Sequence, residues 1–419
     1  MNGLTTRLRR LSFLRAVATL ASGNAVSMAM PILAAPVLGR LYHPADYGAL
    51  AQYMAPAAVL GVLASLQFQH AIIAERSDRT AGHAAWLCLL SALGASGLTA
   101  VMVAILWESV LMQTEAGVWF VALPFTVVGA GVVSASQFLA NRHRRYRWIA
   151  TLQVIHVAIT IAVSICLGYA AWGTSGLLAA YLLGQTIQLG AYSWFMYNLG
   201  PTHFHWPGIR RLKVLMRRHW KFPAFTMPSE FSSQLNLQAP VFALSALGAE
   251  ATLGAFTRAR QLVSMPTTVV GQSVAQVFRR DASELYRKTG SCRKLMLRTA
   301  GGLLMMGIGP CLLLMIFSPW LFTVYLGPDW REAGEIARIL APMLLMRVIV
   351  SPLSTVFYFT GHQVLDLKLT FISTVIMVLF MTLGWMLMGT TIGIILAFTL
   401  GYGIVYLIYM VATFKLAGP

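Results

Sequence analysis

The chain has 419 residues, of which 58% are hydrophobic and only 11% are charged. Soluble globular domains carry about a quarter of their residues as charged side chains, so this composition excludes an ordinary soluble protein and predicts a multi-pass membrane protein. The formal net charge of +18 does not by itself indicate nucleic acid, because cytoplasmic loops of membrane proteins are enriched in Lys and Arg. The four cysteines have no paired spacing and predict neither disulfides nor a metal site.

Twelve membrane-spanning helices are predicted from stretches with few or no charged residues. A helix needs about 20 predominantly apolar residues to cross the hydrocarbon core. Such stretches are residues 16–39, 47–74, 80–107, 116–141, 148–209 (two spans), 222–249, 251–278, 299–328, 333–365 and 369–414 (two spans). Long continuous apolar runs disfavour a β-barrel. The predicted fold class is therefore an all-α polytopic membrane protein.

The basic residues favour one orientation of these spans. With the N-terminus in the cytoplasm, 25 Lys and Arg residues fall in cytoplasmic loops and only Arg40 and Arg331 fall in outer loops. We therefore expect both termini to be cytoplasmic. Basic runs such as residues 143–147 are what this topology requires, so nucleic acid is not an expected partner, whereas anionic lipid headgroups are.

An internal repeat is indicated by the division of the chain into six predicted spans in 1–209 and six in 210–419. An offset of 206 residues aligns Asp46–Leu50 with Thr252–Phe256. The aligned spans begin on the same side of the membrane, so the repeat would be parallel, with its axis along the membrane normal. This pattern predicts two six-helix lobes as the domains.

Polar residues at helical spacing form stripes on four predicted spans. The stripes are Gln153, His156, Thr160 and Ser164 on span five; Tyr181, Gln185, Gln188 and Tyr192 on span six; Arg258, Gln261, Gln272 and Gln276 on span eight; and Arg347, Ser351, Ser354 and Tyr358 on span ten. Each stripe is either a set of hydrogen bonds between helices or the wall of a water-filled cavity. Arginine in two stripes favours a central cavity, because helix packing does not need a guanidinium.

Charged residues inside the predicted spans mark a candidate site, since burying one costs at least ~2.5–3.5 kcal/mol. Arg347 lies deepest, whereas Arg258 and Arg260 are two residues apart and must point to different faces of their helix. Arg338 lies near the outer end of its span, where an interfacial anchor is an equal alternative. Glu230 is either a coupling site for a proton or cation or the salt-bridge partner of a buried arginine. The excess of guanidinium predicts an anionic cargo, with phosphate oxygens as suitable partners.

The polar stripes and the end of span one supply the remaining candidates. Gln261, Gln185 and Gln188 are grouped with the arginines as substrate-binding residues, together with Arg40. His156 is a candidate for coupling, although a hydrogen-bonded core histidine is the more common role. The sequence has no Gly-x4-Gly-Lys-Ser/Thr, His-Glu-x-x-His or Gly-x-Ser-x-Gly motif, so we expect a transporter without a cofactor or metal rather than an enzyme.

Two segments resemble a known family. The run from Pro36 to Leu50, PVLGRLYHPADYGAL, resembles a signature of Wzx-type polysaccharide flippases, which belong to the multidrug/oligosaccharidyl-lipid/polysaccharide (MOP) superfamily. The segment Leu253–Arg260, followed by Pro266, is similar to that family's eighth span. The resemblance implies two six-helix lobes around a cationic cavity. It further implies that undecaprenyl-pyrophosphate-linked O-antigen, or a related repeat unit, moves from the cytoplasmic to the periplasmic leaflet of a bacterial inner membrane.

The resemblance also implies coupling to H⁺ or Na⁺ and polysaccharide polymerase and ligase partners. Two other functions stay open. A cation-coupled multidrug antiporter of the same superfamily would be expected to carry more cavity carboxylates than Glu230, because its cargo is typically cationic. An envelope glycan polymerase or ligase is disfavoured by the short predicted outer loops. The sugar, the coupling ion and the oligomeric state are left open by the sequence.

Overall fold

The computed structural model describes residues 23–108, 112, 114–199 and 204–418. Within these residues the secondary structure is helical and no β-strand occurs. The beginning of predicted span one, residues 16–22, lies outside the described residues. The prediction of an all-helical protein is confirmed for the part of the chain that the structure describes.

The helices follow one another with short connections. In chain order the elements are α1 (Gly23–Leu41, the described part), α2 (Pro44–Ala64), α3 (Gln69–Ala74), α4 (Asp78–Leu106), a 3-10 turn (Gly117–Ala122), α5 (Leu123–Arg142), α6 (Tyr146–Tyr169), α7 (Gly173–Asn198), α8 (Ile209–Arg218), a π-helical turn (Phe222–Thr226), α9 (Met227–Ala246), α10 (Glu250–Thr289), α11 (Arg293–Leu326), a 3-10 turn (Pro328–Trp330), α12 (Arg331–Leu353), α13 (Val356–Phe359), α14 (Gln363–Met388) and α15 (Thr391–Leu416).

Nine helices among the described residues are long and apolar enough to cross a membrane, and they include α1, α2, α4 and α15. Helices α7, α9 and α10 occupy the positions of predicted spans six, seven and eight. They have 26, 20 and 40 residues, which is sufficient length at 1.5 Å per residue. Their polar stripes make them less apolar than the other nine. The count of twelve spans and the cytoplasmic position of both termini therefore stay predictions.

The described residues form two compact units. The first contains the described residues up to Tyr42 together with Gln52–Gln234. The second contains His43–Ala51 and the described residues from Leu235 onward. The first turns of α2 thus belong to the second unit, while the rest of α2 belongs to the first. The predicted boundary between residues 209 and 210 stays a prediction.

Small residues allow the helices of the first unit to approach closely. Ala64, Ala92 and Val127 are fully buried where α2, α4 and α5 meet. A Cβ atom on Gly131 of α5 would collide with the side chain of Ala92. Lipid tails are as apolar as leucine, so close packing of small side chains is a main source of helix association in a membrane.

Arg142, the last residue of α5, holds the segment that joins α3 to α4. Its Nε donates to Asp78 Oδ1 at 2.7 Å, and its Nη1 donates to the carbonyl oxygens of Ile72 at 2.8 Å and Glu75 at 2.7 Å. These carbonyls lie at the C-terminus of α3, where helical acceptors lack intrahelical partners. One guanidinium therefore binds the free carbonyl groups at the C-terminus of α3 and fixes the position at which α4 begins.

Glu75 carries a second link, to the end of α8. Its buried carboxylate lies 2.7 Å from Nε2 of His219 and 3.3 Å from Nη1 of Arg218. Burial raises the pKa of Glu75, but hydrogen bonds from His219 and Thr80 and the charge of Arg218 outweigh it and hold the pKa below its usual value. Glu75 is therefore an ionised anchor for the segment after α7.

Candidate functional site

The later part of the first signature segment, from Pro44 to Leu50, forms the start of α2, and its residue types match the needs of a helix N-terminus. Pro44 is the first helical residue, a position where a missing N–H is tolerated. Asp46 Oδ2 accepts a hydrogen bond from the backbone N–H of His43 at 2.9 Å. This bond satisfies a donor that the helix leaves unpaired, as in a capping box. Pro44 and Asp46 therefore fix where α2 begins.

The two signature segments pack directly against each other in the second unit. A Cβ atom on Gly48 would collide with the backbone of Glu250, and one on Gly254 would collide with the backbone of Pro44. In the 206-residue alignment, Pro44 corresponds to Glu250 and Gly48 corresponds to Gly254. The contact is therefore reciprocal, because each glycine meets the residue that corresponds to the other glycine's partner. Helix backbones come this close only where side chains are absent. Gly48 and Gly254 are thus explained by one crossing between α2 and α10.

Arg258 is buried at this crossing. Only 4% of its surface is exposed, and its Nη2 donates to the Tyr47 hydroxyl at 2.6 Å. The guanidinium also lies 4.0 Å from the centroid of the Tyr47 ring, and its Nη1 donates to Gln261 Oε1 at 3.0 Å. Two predicted substrate-binding residues, Arg258 and Gln261, are therefore brought together. Both Nη atoms of Arg258 have partners, while its buried Nε has no hydrogen-bond partner among the described residues. The burial of Arg258 between Tyr47 and Gln261 favours a structural role over contact with cargo.

Tyr47 is also in contact with the beginning of α12. Its ring meets the buried Trp330 edge to face, with 5.4 Å between the ring centroids. Thr252 of α10 donates to Glu332 at 2.6 Å in the same unit. These contacts join three helices of the second unit around the signature residues.

Arg260 points to a different neighbour, as predicted from its two-residue distance from Arg258. Its Nη1 donates to the carbonyl oxygen of Leu237, and its guanidinium lies 5.2 Å from the centroid of the Phe256 ring. Arg260 also interacts electrostatically with Arg347 and Tyr402. The two positive charges are therefore close enough to repel each other, and an anion would offset this repulsion.

Among Arg258, Arg260 and Arg347, Arg347 has the largest number of N–H donors without a hydrogen-bond partner among the described residues. It lies sixteen residues into α12, about 24 Å from the first residue at helical rise. It is half-buried, and in the part of the chain that the structure describes it forms no ion pair or hydrogen bond. A guanidinium has five N–H donors, so this side chain is able to bind an oxyanion in a bidentate manner.

Two tyrosines of α15 lie close to Arg260 and Arg347. Tyr402 interacts electrostatically with both Arg260 and Arg347, and Tyr406 interacts with Arg347. Their ring centroids are 5.6 Å apart, and both residues are half-buried. Neither hydroxyl has a hydrogen-bond partner among the described residues. We call Arg260, Arg347, Tyr402 and Tyr406 the arginine–tyrosine cluster.

The tyrosines of this cluster were not among the residues predicted from the sequence. Tyr402, Tyr406 and Tyr409 are spaced at i, i+4 and i+7, which places them on one face of α15. They lie in a 46-residue stretch without charged residues, where tyrosine is easily taken for an apolar residue. The spacing was therefore the signal that could have revealed them.

Two predicted substrate-binding arginines lie at exposed positions. Arg338 donates to the carbonyl oxygen of Ile316 at 3.2 Å, and Arg40 donates to that of Pro36 at 2.8 Å. Both bonds end on backbone oxygens, and neither side chain belongs to the arginine–tyrosine cluster. The exposed position of Arg338 favours its interpretation as an interfacial anchor. The structure does not place Arg40 with the other predicted substrate-binding residues.

The stripes on α6 and α7 are in the first unit. Gln185 donates to the hydroxyl of Tyr181 at 3.3 Å, while Gln188 is half-buried without a hydrogen-bond partner among the described residues. The ring of His156 packs against Gly184, and its buried Nε2 lacks a hydrogen-bond partner within the described part of the chain. This contact between α6 and α7 supports the packing interpretation of His156.

Two carboxylates occupy the first turns of helices. Glu230 is exposed in the first turn of α9, where it interacts electrostatically with His70. It forms no ion pair with an arginine among the described residues, so the salt-bridge interpretation gains no support. Asp366 is half-buried in the first turn of α14, and the Tyr409 hydroxyl donates to its backbone carbonyl oxygen at 3.5 Å. Asp366 lies between the predicted spans 333–365 and 369–414 and was not among the predicted site residues.

The chain matches a family of known protein sequences. Residues 37–335 match the family described as "Polysaccharide biosynthesis protein", a range that contains both signature segments. The chain belongs to this family. No curated protein sequence matches the chain significantly.

The fold is that of MOP transporters. An inward-facing multidrug resistance MATE family transporter of the MOP superfamily is similar, with a TM-score of 0.67 and 16% identity over 94% of this chain and 98% of that one. The lipid II flippase MurJ, in an inward closed conformation, has a TM-score of 0.72 and 14% identity over 94% of this chain and 87% of that one. A MOP superfamily transporter from Pyrococcus furiosus has a TM-score of 0.60 and 17% identity over 96% of each chain. The expected superfamily resemblance and multi-pass helical fold are thereby confirmed.

Proposed function

We propose that this protein is a flippase for a lipid-linked oligosaccharide. The cargo is undecaprenyl-pyrophosphate-linked O-antigen or a related polysaccharide repeat unit, moved from the cytoplasmic to the periplasmic leaflet of a bacterial inner membrane. Membership of the polysaccharide biosynthesis family and a fold shared with the lipid II flippase MurJ support this assignment.

The single observation that carries the proposal is the uncompensated charge of Arg347. A charged side chain inside a membrane costs at least ~2.5–3.5 kcal/mol, and such residues pair with an opposite charge or face water. Arg347 has no acidic partner in the described structure, and Arg260 adds a second positive charge beside it. The diphosphate of a lipid carrier supplies the missing negative charge and enough oxygens for two guanidiniums.

The arginine–tyrosine cluster also offers neutral donors to the same ligand. The Tyr402 and Tyr406 hydroxyls are able to donate to phosphate oxygens or to the first sugar. Arginine keeps its charge at all relevant pH values, so the site stays cationic throughout the transport cycle. We propose alternating access with a cationic cavity, with H⁺ or Na⁺ as the coupling ion and a polysaccharide polymerase and ligase as partners.

The alternative is a cation-coupled multidrug antiporter. The similarity of the fold to a MATE transporter favours it, as do the carboxylates of Glu230 and Asp366. However, these carboxylates lie in the first turns of α9 and α14 and are not members of the arginine–tyrosine cluster. An organic cation would meet net repulsion from Arg260 and Arg347, so the flippase is the better supported function.

Transport by the purified protein in liposomes distinguishes the two functions. One assay follows a fluorescent polyprenyl-diphosphate saccharide as it becomes accessible to a membrane-impermeant quencher, and the other follows ethidium exchange against a proton gradient. We expect protein-dependent movement of the diphosphate lipid and none of ethidium. Ethidium exchange without movement of the diphosphate lipid would establish the antiporter instead.

A further inference from the structure

Helix α8 combines a strongly basic sequence with a fixed position on the first unit. Five of its ten residues are Lys or Arg and none is acidic. Leu212 and Leu215 are buried in the same apolar core as residues of α3, α4 and α5. Arg218 and its neighbour His219 bind the carboxylate of Glu75. One face of α8 is therefore held against the protein.

The opposite face of α8 is exposed and positively charged. Arg210, Lys213 and Arg217 are spaced at i, i+3 and i+7, which aligns them on the side away from Leu212 and Leu215. All three are exposed, and none forms an ion pair within the described part of the chain. We call these three residues the α8 basic face.

Tryptophans show the depth at which α8 lies. Trp86, near the start of α4, contacts Trp206 just before α8, with 5.1 Å between ring centroids. Trp148, near the start of α6, lies 5.6 Å from Trp194, near the end of α7. Tryptophan is enriched where membrane helices pass from the hydrocarbon into the headgroups. Because α8 packs on the first turns of α4, it lies at the level of the headgroups.

We propose that the α8 basic face binds the headgroups of anionic phospholipids in the adjoining leaflet. Charge complementarity favours this partner, because the three exposed cations form no ion pair with the residues that the structure describes. Ile209 and Val214 flank the basic stripe and are 66% and 67% exposed. Apolar side chains beside a basic stripe gain free energy from a bilayer and not from a soluble anion. The partner is therefore a lipid surface rather than free phosphate.

The inference is independent of the proposed cargo, since none of its residues belongs to the arginine–tyrosine cluster. A basic residue near an anionic surface strengthens association by roughly fivefold. Neutralising all three residues is therefore expected to weaken lipid binding by roughly tenfold or more. The substitutions are at exposed positions, so the fold is expected to persist.

The test measures the thermal unfolding midpoint of the full-length protein in neutral detergent. The variant carries Arg210→Gln, Lys213→Gln and Arg217→Gln. A matched control carries Arg280→Gln, Arg287→Gln and Lys294→Gln, which remove the same charge from exposed positions outside α8. Each protein is titrated with phosphatidylglycerol, phosphatidylcholine and inorganic phosphate.

Phosphatidylglycerol is expected to raise the midpoint of the wild type and of the control, and phosphatidylcholine and inorganic phosphate are not. The α8 variant should require at least tenfold more phosphatidylglycerol for the same rise. An equal response of both variants, or an equal effect of phosphatidylcholine, would overturn the proposal. A phosphate effect equal to that of the lipid would also overturn it, by indicating a site for small anions.

A second measurement uses the wild type alone and does not depend on the variants. The stabilisation by phosphatidylglycerol should disappear at about 1 M salt, where the Debye length falls to about 3 Å. Stabilisation that persists at this ionic strength would show that the headgroup charge is not what α8 recognises.

Discussion

The Tyr47 hydroxyl accepts a hydrogen bond from Arg258 Nη2 at 2.6 Å, and the two residues are separated by 211 positions in the sequence. Each lies in one of the two segments that carry the family resemblance. A buried guanidinium needs partners for its donors, and here the phenol of one signature segment supplies one to the other. The residues that carry the resemblance therefore include a packing contact between the two segments.

Removing the Tyr47 hydroxyl is expected to destabilise the protein without removing the ring. Tyr47→Phe leaves a buried N–H of Arg258 unpaired, at a cost of ~1–3 kcal/mol. The thermal unfolding midpoint in detergent should fall accordingly. Tyr406→Phe is the matched control, because that hydroxyl has no hydrogen-bond partner among the described residues, and its midpoint should not change. Equal midpoints for Tyr47→Phe and the wild type would show that the bond contributes nothing.

The reciprocal glycine contact predicts a strong effect of a single methyl group. Gly254→Ala places a Cβ atom against the Pro44 carbonyl, which is rigid backbone, so α2 and α10 must separate. We expect loss of folded protein as judged by size-exclusion chromatography. Gly271→Ala is on the same helix and meets no atom within 4 Å, so it should yield protein of wild-type behaviour. A well-folded Gly254→Ala protein would refute the tight crossing.

The lowered pKa of Glu75 predicts an acid-dependent contribution to stability. A carboxylate with a depressed pKa in the folded state stabilises the protein above the pKa of the unfolded state, about 4.3, and loses this effect as the pH falls through the folded pKa. Glu75→Gln should therefore lower the unfolding midpoint at about pH 7, and the difference from the wild type should shrink toward about pH 3.5. A difference that stays constant over this range would contradict the ion-pair role of Glu75.

We expect Glu230 to make the transport rate depend on a proton gradient. Replacing the carboxylate of Glu230 by an amide removes the group that would carry the coupling proton. In proteoliposomes, Glu230→Gln should transport at a rate that no longer responds to an imposed pH gradient. Asp366→Asn serves as a comparison and should keep the response. Full stimulation of Glu230→Gln by the gradient would exclude this residue from coupling.

The helical framework was largely predictable from the sequence, because apolar length is a direct requirement of the hydrocarbon core. Helices α7, α9 and α10 were predicted at the correct positions, although their polar residues weaken the same signal. The orientation of Arg258 and Arg260 toward different neighbours followed from helix periodicity.

The residues that contact Arg258 and Arg260 were not predictable from helix periodicity. Periodicity gives the face of a helix on which Arg258 lies but not the residue that it meets, and Tyr47 is distant in the sequence. Arg258 and Arg347 looked equivalent as intramembrane arginines, yet one is enclosed by partners and the other has none among the described residues. Only the packing of the second unit separates a structural arginine from a candidate binding residue.

The central claim is that Arg347 binds the diphosphate of the cargo, and its most direct test is the transport rate of Arg347→Ala in proteoliposomes with the fluorescent diphosphate lipid. The loss of a charge-assisted hydrogen bond of ~1.5–3 kcal/mol predicts a rate reduced by roughly tenfold or more, with an unchanged thermal midpoint. Arg338→Ala, which removes an exposed arginine from the same helix, should transport normally. Wild-type transport by folded Arg347→Ala would contradict the account.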